Sequence, residues 1–115
     1  MLEDYGGTGN IRVANDDLIC RPEASSVCRK SGCQTGPPAR IWSEWKAASQ
    51  TFRRCDSNGC DAYSAEIYES GIFTNISVAS HGLMMRIAQD GSFMELATEG
   101  KVVYVHHGTC SKVAR

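Results

Sequence analysis

The sequence predicts an all-β domain, an antiparallel up-and-down meander of about seven to eight strands that forms a small closed or nearly closed barrel. Three observations carry this expectation. From residue 61 onward, X-Gly pairs punctuate the chain at Ser70-Gly71, His81-Gly82, Asp90-Gly91 and Glu99-Gly100, and glycine readily supplies the positive φ that tight hairpin turns require. The segments between these pairs are short and rich in Ile, Val, Phe, Tyr and Met. Finally, Cys20 and Cys110 stand where a bond would clasp the first strand to the last, and closure removes the exposed edges of a meander.

In chain order, residues 1–16 read as a flexible N-terminal segment, in which Gly6-Gly7-Thr8-Gly9 is no phosphate loop because no Lys-Ser/Thr follows it. The single domain is expected over 17–110, with 111–115 as a tail. A first strand is expected near Asp17 to Cys20, followed by a connection from Arg21 to Pro38 that contains Gly, Pro and Ser. Over Arg40 to Lys46 a strand competes with an amphipathic helix, since Ile41, Trp45, Ala48 and Phe52 fall at helical spacing. The strand is preferred because the hairpin at Cys55 needs a partner on its far side. That hairpin sets Phe52 opposite Tyr63 and Arg54 opposite Asp61.

Two-residue loops fix the remaining register, because side chains alternate faces along a strand. The four X-Gly turns place Ile67 opposite Thr74, Val78 opposite Met85, Ile87 opposite Met94 and Leu96 opposite Val103. One face then collects Tyr63, Ala65, Ile67, Ile76, Val78, Met85, Ile87, Met94, Leu96, Val103 and Val105. Tyr63, Met85, Met94 and Leu96 are the residues that would line a ligand cavity on that face, although the row is bulky enough to fill the interior. The second face is mixed, and its Tyr68, Phe73, Met84, Phe93 and Tyr104 form either a partner-binding surface or a patch covered by residues 1–38.

The six cysteines are Cys20, Cys28, Cys33, Cys55, Cys60 and Cys110. Their even number and density favour disulfides and an oxidising compartment, hence a secreted or periplasmic protein. The N-terminus lacks a charged start and apolar stretch, so the leader peptide of an exported chain is not in this sequence. Two segments echo each other, Cys28-Arg-Lys-Ser-Gly-Cys33 and Cys55-Asp-Ser-Asn-Gly-Cys60, and each spacing can close a local loop, leaving Cys20 with Cys110. The alternatives are a zinc site on Cys28, Cys33, Cys55 and Cys60, whose x4 spacing is wider than usual for zinc, or six free thiols.

Chemistry-bearing motifs are sparse. His106-His107 cannot readily share a metal, because neighbouring strand residues point to opposite faces, and His107 should project on the side of Val105. Asp56-Ser57-Asn58-Gly59-Cys60-Asp61 lacks the acidic triplet and distal Glu of a calcium loop and reads as a hairpin turn. Asn75-Ile76-Ser77 is a glycosylation sequon without assigned meaning. No nucleophile, base and oxyanion set emerges, so the chain is expected not to be an enzyme, and no cofactor is implied. Twelve basic against thirteen acidic residues, a formal net charge of −1, give no pull toward nucleic acid. No apolar run predicts integral membrane contact.

The residues Arg54-Cys55-Asp56, Gly59-Cys60-Asp61-Ala62-Tyr63 and Ser70-Gly71-Ile72-Phe73-Thr74 resemble a pattern in small uncharacterised exported bacterial cysteine-containing β proteins. The size, meander and first-to-last clasp are also loosely similar to the membrane-bound c-type lysozyme inhibitor family. That resemblance implies a periplasmic barrel, and no inhibitory residue of that family maps onto this chain. The expected function is therefore binding, foremost of a protein partner as an inhibitor would. A small-ligand-binding barrel and an intracellular zinc-binding module are the alternatives.

Overall fold

The computed structural model describes residues 10–113. Among them the chain forms ten strands in one antiparallel sheet: β1 (Leu18–Arg29), β2 (Gly32–Gly36), β3 (Trp42–Lys46), β4 (Thr51–Asp56), β5 (Gly59–Ser64), β6 (Glu66–Ser70), β7 (Phe73–Val78), β8 (Leu83–Ala88), β9 (Ser92–Glu99) and β10 (Val102–Lys112). Their order is β5-β4-β3-β1-β10-β9-β8-β7-β6, with β2 on the other half of β1. The two ends of that order are one chain segment, because β5 runs into β6 through Ala65 alone. β5 pairs with β4 and β6 pairs with β7, so the sheet wraps into a nearly closed barrel.

The class is as the sequence predicts, with more strands. The connection expected from Arg21 to Pro38 is mostly strand: β1 continues to Arg29 and folds back as β2. Of the strand expected over Arg40 to Lys46, Trp42–Lys46 forms as β3 rather than helix, and Trp45 is buried there and hydrogen-bonded through Nε1 to the Val13 carbonyl (2.7 Å). Packing also begins before residue 17, since Ile11 and Val13 belong to the core. Residues 1–9 of the expected flexible segment lie outside the described residues, whereas 111–112 of the expected tail are strand.

The Cys55–Cys60 hairpin has the predicted register, with Phe52 opposite Tyr63. Three of the four X-Gly turns are displaced by an even step that preserves the inside and outside of each strand. Ile67 lies opposite Ile76, Val78 opposite Leu83 and Leu96 opposite Val105. The turn at Asp90-Gly91 breaks parity. It has three loop residues, Gln89, Asp90 and Gly91, between the ends of β8 and β9. The Gly91 N–H donates to the Ala88 carbonyl and Gly91 adopts φ 95°, matching the three-residue hairpin that ends in a left-handed residue. Glycine is required here, because a Cβ would meet the Cys110 carbonyl oxygen at 2.8 Å.

One extra loop residue turns β9 and β10 over relative to the expectation. Phe93 and Glu95 point inward opposite Ile87 and Met85, and β10 follows with Tyr104, His106 and Cys110 inside. Met94, Leu96, Val103 and Val105 therefore lie on the outer face instead of in the core. A second irregularity acts on β1. Its register with β10 slips between Pro22 and Ala24, a bulge of the kind at which sheets admit proline. Before the slip Cys20 faces in against Cys110; after it Ser25 faces in against His106.

The core is graded along the barrel. At one end Ile11, Val13, Leu18, Trp45, Phe52, Ile87 and Phe93 pack together. Residues 10–16 plug that end, with the Ile11 N–H donating to the Gln89 carbonyl and the Cys110 N–H donating to that of Gly91. The other end holds the polar residues of β4, β9 and β10.

Candidate functional site

The polar end is built by the two parity changes. β9 carries Glu95 into the interior, where it is 1% exposed, and β4 aims Arg54 at it from Phe52's side of that strand. Arg54 Nη2 donates to Glu95 Oε2 at 2.5 Å. Burial pushes the Glu95 carboxyl above its usual range, and the Arg54 charge and hydrogen bond oppose that rise. The contact is a single bond rather than a two-pronged one, and Arg54 Nε is buried without a hydrogen-bond partner. A buried donor left unpaired is costly and uncommon.

His106, directly across the ladder from Glu95, is also buried. Its Nδ1 lies 2.8 Å from Ser25 Oγ, which also accepts the Ala39 N–H (3.0 Å). Ser25 Oγ accepts the Ala39 N–H on one lone pair, and the tautomer in which its hydroxyl donates to Nδ1 carries the ring proton on Nε2. Burial lowers the His106 pKa, and the charges of Arg54 and His107 lower it further. The neutral ring is thus the resting form.

Arg54 and His106 open onto a cavity of ≈ 420 Å³ lined by Ile41, Tyr63, Leu83 and Tyr104 among others. Tyr63 packs against His81, their ring centroids 4.4 Å apart, at the seam where β5 faces the short 3-10 turn Ala79–His81. A neighbouring cavity of ≈ 510 Å³ beneath the β1–β2 hairpin shares Ala39, Tyr104 and His106 with the first. Ser25 and His106 make a nucleophile–base contact, but Glu95 is committed to Arg54 rather than to the imidazole. The Ser25–His106–Ala39 chain works as a pin holding the 36–41 segment to the barrel.

Of the four residues expected to line a cavity, only Tyr63 does so. Met85 is buried in the core, Met94 is outside and 37% exposed, and Leu96 is outside and half-buried. The expected partner surface is divided in the same way. Tyr68 (54% exposed) and Met84 (45%) stay outside, and Phe73 is half-buried under the Arg86 guanidinium. Phe93 is a core residue, and Tyr104 lines the cavity. His107 does share the side of Val105, since the two are two apart on β10 and paired with Met94 and Leu96. The sequence pattern does not bring Arg54, Glu95 and His106 together. The signal that finds them is the count of residues between Ala88 and Ser92, which is odd where the expected turn has two.

All six cysteines pair as Cys20–Cys110, Cys28–Cys33 and Cys55–Cys60, leaving none free. Each pair occupies directly opposed ladder positions. Paired sulfurs have no thiolate to offer, so the zinc arrangement on Cys28, Cys33, Cys55 and Cys60 does not fit, and Glu44 beside Cys55 and Cys60 makes no metal site either. Three disulfides fit an oxidising, extracellular-type environment. No helix among the described residues is long and apolar enough to cross a membrane. No family model matches the chain, and neither curated proteins nor solved structures provide a significant match, so function rests on the site itself.

Proposed function

We propose that the chain is an exported, disulfide-clasped barrel that binds a small molecule in the cavity at its open end, and binds it without chemical change. The observation that carries this is the cavity itself. Its ≈ 420 Å³ falls within the roughly 300–1,000 Å³ of small-molecule sites, and its apolar walls converge on a few polar groups, as such sites do. Secretion or a periplasmic location is supported by the three disulfides, above all by Cys20–Cys110 across a sequence separation of 90.

The reading is tested by amide NMR titration of the isotope-labelled, oxidised protein with a library of fragment-sized compounds. Saturable ligands should move the amides of Leu83, Ala97, Tyr104 and His106 together and leave Ile11 and Ile87 in place. A library that leaves the cavity amides unmoved overturns it.

A second reading, binding of a protein partner, draws on the outer face. Met84, Leu96 and Val105 follow one another across β8, β9 and β10, with exposed Met94 alongside. Its inhibitor form predicts that micromolar protein slows at least one enzyme in a panel of lysozymes and proteases; uniform full activity rules that form out.

A further inference from the structure

The cavity lining combines the nitrogen donors of Arg54 and His106 with apolar side chains and one carboxylate, Glu99, and this narrows the ligand within the binding function proposed above, on which the inference rests. Arg54 gives Glu95 one bond through Nη2. A guanidinium has five N–H donors in a planar fork, so much of its donor edge stays unspent, and Arg54 lines the chamber. The buried and unpartnered Nε marks the same incompleteness from behind. His106 adds a second donor in the tautomer that has Ser25 donating to Nδ1, whose Nε2–H has no partner among the described residues. Arg54 and His106 line the same cavity, so both can address one group. The rest of the lining includes Ile41, Leu83, Ala97 and the rings of Tyr63 and Tyr104.

We propose that the cavity takes a small organic carboxylate with an apolar body, its carboxylate received by Arg54 and His106 Nε2–H and its body held between Tyr63, Leu83 and Tyr104. A carboxylate matches the planar fork of arginine and accepts charge-assisted hydrogen bonds, which are about twice as strong as neutral ones. Glu95 holds Arg54 from the interior, while Asp61 stands across the ladder from Arg54 and Glu99 at the cavity rim, both exposed to water. Two carboxylates then share Arg54, each taking different N–H groups of its planar fork.

The test compares phenylacetate with its uncharged isostere phenylacetamide on the oxidised wild-type protein, followed by the Arg54 Nε–H, His106 ring and cavity amide resonances. Phenylacetate should bind at least about tenfold more tightly, a difference of about 1.4 kcal/mol, and should shift the Arg54 and His106 signals. The double variant Arg54→Met with Glu95→Gln removes both charges together, a replacement that buried ion pairs commonly tolerate. With its three disulfides and dispersed spectrum intact, it should bind the two probes within about twofold of each other. Equal binding of the two probes to wild-type protein overturns the carboxylate inference while leaving a binding cavity. Persistence of the preference in the folded double variant overturns it as well. Cavity signals unmoved by either probe overturn the inference, and the fragment library separately decides whether the binding function falls with it.

Discussion

At the plugged end of the barrel, Ile11 and Val13 lie among Leu18, Trp45, Phe52, Ile87 and Phe93, whereas toward the mouth β4, β9 and β10 present Arg54, Glu95, Tyr104 and His106. The same sheet supplies both ends. Each apolar side chain fully buried at the plug stabilises by roughly 1.5–3 kcal/mol, while a charged pair taken out of water contributes little net stability or none. Stability is therefore concentrated at one end, which leaves the other free to hold an incompletely satisfied guanidinium and a cavity. The clasp follows the same division. Cys20–Cys110 is buried beside the plug, whereas Cys28–Cys33 closes a hairpin whose β2 strand is exposed throughout.

Deleting Gln89 should break this division most severely. The loop would become the two-residue Asp90-Gly91 turn, and β9 would have to put Met94 and Leu96 inside and Glu95 outside, against the ladders on both sides. The expected loss exceeds the ~5–15 kcal/mol by which a domain of this kind is stable, so near-UV circular dichroism should show no fixed tertiary structure. A native-like spectrum would mean that the loop does not set the parity of β9.

The disulfides give a graded test. Replacing Cys20 and Cys110 by Ala should cost about 4–5 kcal/mol in urea unfolding, because their bond closes nearly the whole chain. The same replacement at Cys28 and Cys33, a sequence separation of 5, should cost no more than about 2 kcal/mol. Equal losses would contradict the concentration of stability at the plug.

The smallest expected effect comes from His106. Its folded pKa lies below the usual 6.5 because it is buried beside Arg54, so just below pH 6.5 the unfolded chain binds more protons than the folded one. Its contribution is complete above that pH and is lost as pH falls through the folded pKa. Glu95, raised by burial, has the opposite sign: its contribution is present below the usual carboxyl range and is lost as pH rises through its folded value. Unfolding free energies of wild type and His106→Gln, measured from pH 7.5 downward, should therefore converge as acid is added. Parallel curves would show that the ring titrates as it does in the unfolded chain.

Local chemistry makes much of this legible from the sequence. Glycine turns, β-branched and aromatic runs and the paired Cys-x4-Cys loops specify strands, hairpins and the class, because each depends on residues only a few positions apart. The hairpin at Cys55–Cys60 is legible to the residue, since its loop and its two cysteines leave one register. The sheltered Ile11 and Val13 are not, because nothing near them in sequence says that the barrel's end needs a plug.

The sequence by itself determined the antiparallel meander, its hairpin rhythm and the two local Cys-x4-Cys loops. Tertiary structure decided which face is inside. Side chains alternate with period two, so a single extra residue in the 89–91 loop exchanged Met94 and Leu96 for Phe93 and Glu95, and a single bulge near Glu23 turned Ser25 toward His106. Such one-residue choices leave local propensity almost unchanged. They are settled by long-range pairing, here the ladder from β8 to β1 and the clasp across it, and it is those contacts that place Arg54 and His106 at one cavity and Glu95 against Arg54.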